Sequence, residues 1–222
     1  RLSASVTVSD LSRMGTLLAP LAPRGGKGRA TASLGGTLDA PTLELRAAIA
    51  RPRFESGLGA DSVVVSAAGP LAPTLDLRGA VRVARLEAKG RALGNVDATF
   101  SGGSPLAVDR FVQSMGDTTL TLRGAVSFDR AGVTARVDSL RLVAGALRAT
   151  ATEPARVVFT RGRLHASPLA LDLSPGRLEA DLDWNVSKGT IDLRGFLEGL
   201  ELARFSRGEV GAPTGRVRAQ FV

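Results

Sequence analysis

The chain has 222 residues, no cysteine, one histidine (His165), one tryptophan (Trp184), no tyrosine and a formal net charge of +8. This inventory excludes a disulfide framework and a thiolate metal site, and it argues against a histidine-metal centre or a Ser-His-Asp engine. The basic residues are scattered among Ala, Gly and Leu with no dense run and no interleaved aromatics, so the stacking platform of a single-strand nucleic-acid binder is missing.

The 26 glycines and 11 prolines predict frequent turns and few helices. No apolar run is long enough for a membrane-spanning helix. Eight Phe and one Trp, spread out, do not make the aromatic girdles of an outer-membrane barrel.

In chain order, Leu2, Ala4, Val6 and Val8 alternate with Ser3, Ser5 and Thr7, which reads as a strand. Asp10–Leu18, "DLSRMGTLL", places Leu11, Met14 and Leu18 at helical spacing. Asp10 can cap and Pro20 stops the run, so a short helix is predicted near 10–19 and a loop over 20–28. Within that loop "GGKGR" (Gly25–Arg29) is not a phosphate loop. Lys27 is followed by Gly28, and Leu21 stands where the first glycine belongs. Further alternating runs lie at Val96–Phe100, Val133–Val137, Leu140–Leu142, Leu169–Leu173, Leu178–Val186 and Val217–Phe221. Turn clusters separate them at 101–105, 130–132, 174–176 and 188–189. Val108–Gly116, "VDRFVQSMG", fits helix or strand, with strand preferred. "ELARFSRG" from Glu201 predicts a second short helix near 201–207.

One phrase recurs: "LELRAAI" (Leu43–Ile49), "LDLRGAV" (Leu75–Val81), "LTLRGAV" (Leu120–Val126) and "IDLRGFL" (Ile191–Leu197). The intervals between copies are unequal, which excludes a strict-period solenoid. "DLSRM" followed by "GRATASL" also returns late in the chain as "ELARF" followed by "GRVRAQF". The first and last residues both lie inside alternating runs, so the sequence reads as a single continuous segment, 1–222, of a longer protein.

Strand parity sorts the recurring phrase into two faces. One face carries Leu43, Leu45, Ile49, Leu75, Leu77, Gly79, Val81, Leu120, Leu122, Gly124, Val126, Ile191, Leu193, Gly195 and Leu197. In the first copy Ala47 takes the glycine's place. The same alternation adds Leu169, Leu171, Leu173, Leu178 and Leu182. Arg and Asp take the other face. A glycine on the apolar face lets the strand bend, lets another surface approach, or leaves passage along the face. An open sheet of more than about ten strands curls. A dozen strands at about 4.8 Å spacing make a sheet some 60 Å long whose apolar face lines a trough if it curls about its length.

Glu179, Asp181 and Asp183 share one strand face and raise the thought of calcium or a glycosidase pair. They alternate with Leu178, Ala180 and Leu182, and an ordinary solvent face accounts for them. His165 has no nucleophile motif beside it. Asn185–Ser187 matches a glycosylation acceptor, a tripeptide frequent by chance. No catalytic residue, cofactor or metal is expected.

"GRATASLGGTLDAPTLELRAAI" (Gly28–Ile49) carries alternating small and apolar residues, then Gly36-Thr37-Leu38-Asp39-Ala40-Pro41, then another strand. It resembles the recurring phrase of the TamB and AsmA-like envelope proteins. "LTLRGAVSFDRAGVTARVDSLRL" (Leu120–Leu142) is similar to that family's strand-turn-strand units. The resemblance spans nearly the whole chain, on degenerate motifs. It implies an all-β fold: a long, curled, mostly antiparallel sheet forming an open, taco-like hydrophobic groove, with a few short helices. It also implies a place in the periplasm of a diderm bacterium, with an inner-membrane anchor outside this segment. The implied role is conduction of phospholipid acyl chains between the membranes in support of outer-membrane biogenesis, and an outer-membrane barrel of the TamA type as a possible partner. The groove residues would then be the apolar-face set named above. The competing expectation is a structural β-rich stalk or adhesin-like module with a closed core. An enzyme acting on envelope polysaccharide rests on the carboxylates alone. Whether the apolar faces enclose one another or stay open separates the first two readings.

Overall fold

The computed structural model describes residues 2–10, 12, 23–54, 57–129, 132–185, 188, 190–201 and 216–221. The chain is all-β, 80% strand and 1% helix, so the expected fold class holds. Within each unit every described strand pairing is antiparallel. The chain divides into two compact units, Arg1–Gly116 and Asp117–Val222. The uniform strand pattern of the sequence, read as one segment, gives no sign of this division.

The first unit holds β1 (Leu2–Val8), β2 (Pro23–Gly36), β3 (Pro41–Phe54), β4 (Leu58–Gly59), β5 (Ser62–Pro70), β6 (Leu77–Ala88), β7 (Arg91–Gly102) and β8 (Leu106–Met115). Each strand lies beside its neighbour in sequence. The one refinement is that β4 and β5 share a single position between β3 and β6. The break between them is stitched by backbone bonds, Arg51 N–H to Asp61 O at 2.8 Å and Asp61 N–H to Ala84 O at 2.9 Å.

The second unit holds β9 (Thr118–Phe128), β10 (Val133–Ala144), β11 (Leu147–Ala151), β12 (Ala155–Thr160), β13 (Arg163–Leu173), β14 (Arg177–Asn185), β15 (Thr190–Glu201) and β16 (Arg216–Phe221). Here β11 and β12 share one position between β10 and β13.

Local sequence explains the connections. β6 and β7 are joined by Lys89 and Gly90, and β12 and β13 by Arg161 and Gly162. All four residues have positive φ (49°, 77°, 48° and 77°). That is the type I′ geometry whose twist matches two antiparallel strands. Irregularities within strands also follow the sequence. Val133, Ala135 and Val137 are odd-numbered, whereas Leu140 and Leu142 are even. The ladder shifts between Val137 and Ser139, so Asp138 is the extra residue that keeps both halves of β10 on one face. In β13 the shift falls between Ala166 and Leu169 and takes in Pro168, whose missing N–H suits an irregular site.

Two expectations need correction, and two lie largely outside the described residues. The loop expected over 20–28 is strand from Pro23 onward, paired with β3 through Lys27–Ala50 and Gly28–Ile49. The glycines that suggested a loop instead absorb two register shifts, one on each side of Gly25, with Gly26 at φ 122°. Leu75 precedes β6 rather than sitting in it. The helix expected near 10–19 lies outside the described residues except at Asp10 and Ser12. There the Ser12 N–H donates to the Asp10 carboxylate at 2.9 Å, a capping-type contact. The helix expected near 201–207 also lies outside them, apart from Glu201, which ends β15.

Candidate functional site

Residues directly opposed across an antiparallel ladder point to the same face. In the first unit this builds continuous apolar rows. One runs Ala4, Ala32, Leu45, Ala67, Gly79, Phe100, Val108. The next runs Val6, Ala30, Ala47, Val65, Val81, Ala98, Phe111. A third passes through Val8, Gly28, Ile49, Val63, Val83 and Val96. Leu43 pairs Leu34 and Gly69 on the same face, and Leu77 pairs Gly102. Of the residues expected here, only Leu75 stands outside the ladder.

The second unit repeats the arrangement. Val126, Ala135, Val157, Ala166, Leu182 and Leu193 form one row. Gly124, Val137 and Ala155 form another, as do Leu169, Ala180 and Gly195. Leu122 faces Leu140, and Leu171 leads through Leu178 to Leu197. Leu120, Leu142, Ala149 and Leu173 complete the face toward one end. The terminal row at the other end is Phe128, Val133, Phe159, Leu164, Trp184, Ile191. Sequence reasoning named only Ile191 from this row as a site residue. Phe128, Phe159 and Leu164 lie outside the recurring phrase, and only cross-strand register joins them to it.

These faces are half covered rather than sealed. Among the described residues the buried apolar side chains are mostly alanines. Val96 and Leu173, each 8% exposed, are the only Val, Leu, Ile or Phe among them. Leu2, Leu34, Phe128, Phe159, Trp184, Ile191 and Leu193 are all exposed. Strands meet at close range chiefly with their own ladder partners. Two sheets packed face to face would bury the large residues of both inner faces. Neither unit does so.

The glycines of the recurring phrase correct one expectation. A Cβ on Gly79 would strike the Ser66 carbonyl oxygen and the Phe100 ring. At Gly124 it would strike the Arg136 carbonyl beside the bulge, and at Gly195 the Glu179 carbonyl and Ala180. None of the three has positive φ. They serve close approach of a neighbouring strand, and at Gly79 cover by an aromatic ring. They do not leave passage along the face, because protein atoms fill the space.

The opposite face is polar and carries exposed ion pairs. Arg82 meets Asp97 at 3.3 Å, Arg46 meets Glu44 at 3.0 Å and Arg194 meets Asp192 at 3.0 Å. Exposed pairs of this kind contribute at most about 1 kcal/mol each. The three carboxylates of β14 lie here, each with a partner. Glu179 pairs with Arg177, Asp181 accepts from the Ser167 hydroxyl, and Asp183 stands 3.1 Å from His165 Nδ1. Among the described residues no three potential metal ligands come together. Shallow hollows on the polar face of the first unit are lined by Ser3, Ser5, Arg29, Thr31 and Arg46, with Glu44 as their carboxylate. Among the described residues no helix is long and apolar enough to cross a membrane.

Comparison with protein-family models, with curated proteins and with solved structures finds no match.

Proposed function

We propose that this chain is a segment of a TamB/AsmA-like envelope protein that shields phospholipid acyl chains along a hydrophobic β-groove. The observation that carries the reading is the continuous apolar face in each unit, with its large side chains half exposed and, among the described residues, no second layer upon it. A face of this kind in water needs an occupant. An acyl chain suits it on energetic grounds. At about 0.8 kcal/mol per buried CH₂, a chain of roughly sixteen carbons gains about 12 kcal/mol on leaving water. A lining of Leu, Val and Ala offers no polar anchor that would hold one lipid in one place. The setting proposed with this role is the periplasm of a diderm bacterium, with membrane anchorage elsewhere in the parent protein and an outer-membrane barrel as a candidate partner. The proposal includes no enzymatic activity.

Photo-crosslinkers at Leu122 and Leu193, compared with Arg123 and Arg194, test it. The leucines belong to the apolar rows, and the arginines alternate with them on the polar face. Phospholipid adducts, read by mass spectrometry, are expected at the two leucines and at least tenfold less at the arginines. Equal adducts at all four positions, or none with purified chain and lipid, would overturn the reading.

A further inference from the structure

Among the described residues the two ends of the second unit differ. At one end the terminal row of the apolar face holds Phe128, Phe159, Trp184 and Ile191, which are 66%, 40%, 37% and 65% exposed. The turns at this end carry Arg161 and Lys188, and Arg163 begins β13 beside them; all three are exposed. The carboxylates nearby are Asp129, which accepts from the Gly132 N–H at 2.8 Å, Asp183, which faces His165, and Asp192, which pairs with Arg194. At the other end the described connections carry Asp117, Gly145, Ala146, Ser174, Pro175 and Gly176. Aromatic rings and cations thus meet at the first end, and among the described residues the connections of the other carry no aromatic.

We infer that this aromatic and cationic end of the second unit is a docking site for the surface of an anionic phospholipid bilayer. A row of rings at the last rung of the ladder, next to basic turns, is the composition suited to the water–lipid boundary. The rings settle at headgroup depth, and Arg and Lys reach the phosphates beyond them. Anionic lipid attracts such cations within a Debye length, so charge selects the leaflet while the rings hold the contact. A protein partner is the less fitting occupant, since the rings lie in a single file along a lip rather than in a patch with a rim around it. The inference concerns attachment to a membrane and stands apart from whether single lipids travel along the apolar face.

Trp184 is the chain's sole tryptophan, and with no tyrosine present its emission reports from this row alone. The test is flotation of the purified chain with vesicles of phosphatidylcholine, with and without about one third phosphatidylglycerol, together with Trp184 emission and quenching by brominated lipid. Expected are flotation with the anionic vesicles, a blue shift, and loss of both at high salt. Two double variants separate the contributions. Phe128→Ser with Phe159→Ser, and Arg161→Asn with Lys188→Asn, should each weaken attachment about tenfold or more. Asn is chosen because Arg161 holds φ 48°, which Asn tolerates. Asp117→Ser at the far end should leave attachment unchanged. Circular dichroism confirms that each variant is folded, and the turn pair is read alone if the Phe pair is not. Attachment equal on neutral and anionic vesicles, Trp184 emission unmoved by vesicles, or wild-type flotation of the folded turn variant would each overturn the inference. Photo-crosslinking at Leu122 with a dispersed short-chain phospholipid reads lipid capture on the apolar face separately, so one reading can fail while the other stands.

Discussion

Gly79 and Phe100 are the smallest scale at which the fold of this chain is decided. Gly79 faces Phe100 directly across the ladder, and the ring lies where a Cβ would stand. The pairing places the bulk of an aromatic on the apolar face without a second layer to cover it, since the neighbouring backbone supplies the floor. Gly79→Ala forces a methyl against both the ring and the Ser66 carbonyl. The expected cost is about 1–3 kcal/mol, as for other overpacked sites. In a thermal melt this appears as a fall of several degrees. Phe100→Ala removes a half-covered ring and should cost about 2 kcal/mol, below the range for a fully buried one. Combining the two should recover only part of the Gly79→Ala loss, because the clash with the Ser66 carbonyl remains. Full recovery in the double variant would show that the ring alone excludes the methyl. The sequence makes the glycine visible by parity, but it does not show what sits above it. Phe100 is twenty-one residues away, and only the strand register brings it there.

The element scale is set by register. Period-two alternation makes most of the strands legible, because an apolar face half turned from water demands it over four or more residues. β10 shows how far this reaches. The change from odd to even parity at Asp138 splits it into two runs when read as sequence, and the structure joins them through a bulge. Deleting Asp138 should therefore be severe. One half of β10 would have to turn either Val133 and Val137 or Leu140 and Leu142 to the polar face. Loss of the cooperative melt of the second unit is the expected result. Asp138→Ala keeps the extra residue and loses only the exposed pair with Arg136, at 2.7 Å. It should shift stability by less than about 1 kcal/mol. Comparable stability of the deletion and the substitution would mean that the bulge is not what holds the register. Less legible were Pro23–Gly28, where glycine signalled a loop and supplied bulges instead, and Leu75, where an alternating phrase begins before its strand does. In both cases backbone pairing, not the apolar pattern, decides where the strand starts.

At the scale of the whole molecule, the terminal strand β1 stands out. Its seven residues, "LSASVTV", contain no charge, proline or glycine, and its ladder with β2 is regular along its length. Among the described residues it pairs with β2 alone. Natural edge strands are commonly guarded by charge, proline or a bulge, and β1 has none of these. Concentration-dependent self-association is expected in sedimentation velocity. Ser5→Lys, which sets a charge on the polar side of the edge, should reduce it while leaving the β-signal in circular dichroism unchanged. A wild-type chain that stays monomeric at high concentration would mean that the edge is covered. The candidate site is also a property of this scale. Its members were legible one strand at a time, since each alternates by itself. Their assembly into rows was not, and neither was the row from Phe128 to Ile191, because register across strands is not written in any one of them.

The strand order carries a consequence for how the chain reaches its native form. Within each unit every strand position is filled beside the one that precedes it in the sequence, and no strand must wait for a partner synthesised much later. Closing such a sheet is a succession of pairings between neighbours in sequence, which keeps the loop-closure entropy small. A polypeptide wired in this way can assemble from its first hairpin onward as it emerges, with each finished strand serving as template for the next. The same wiring lets the number of strands change by whole hairpins without rerouting those already in place.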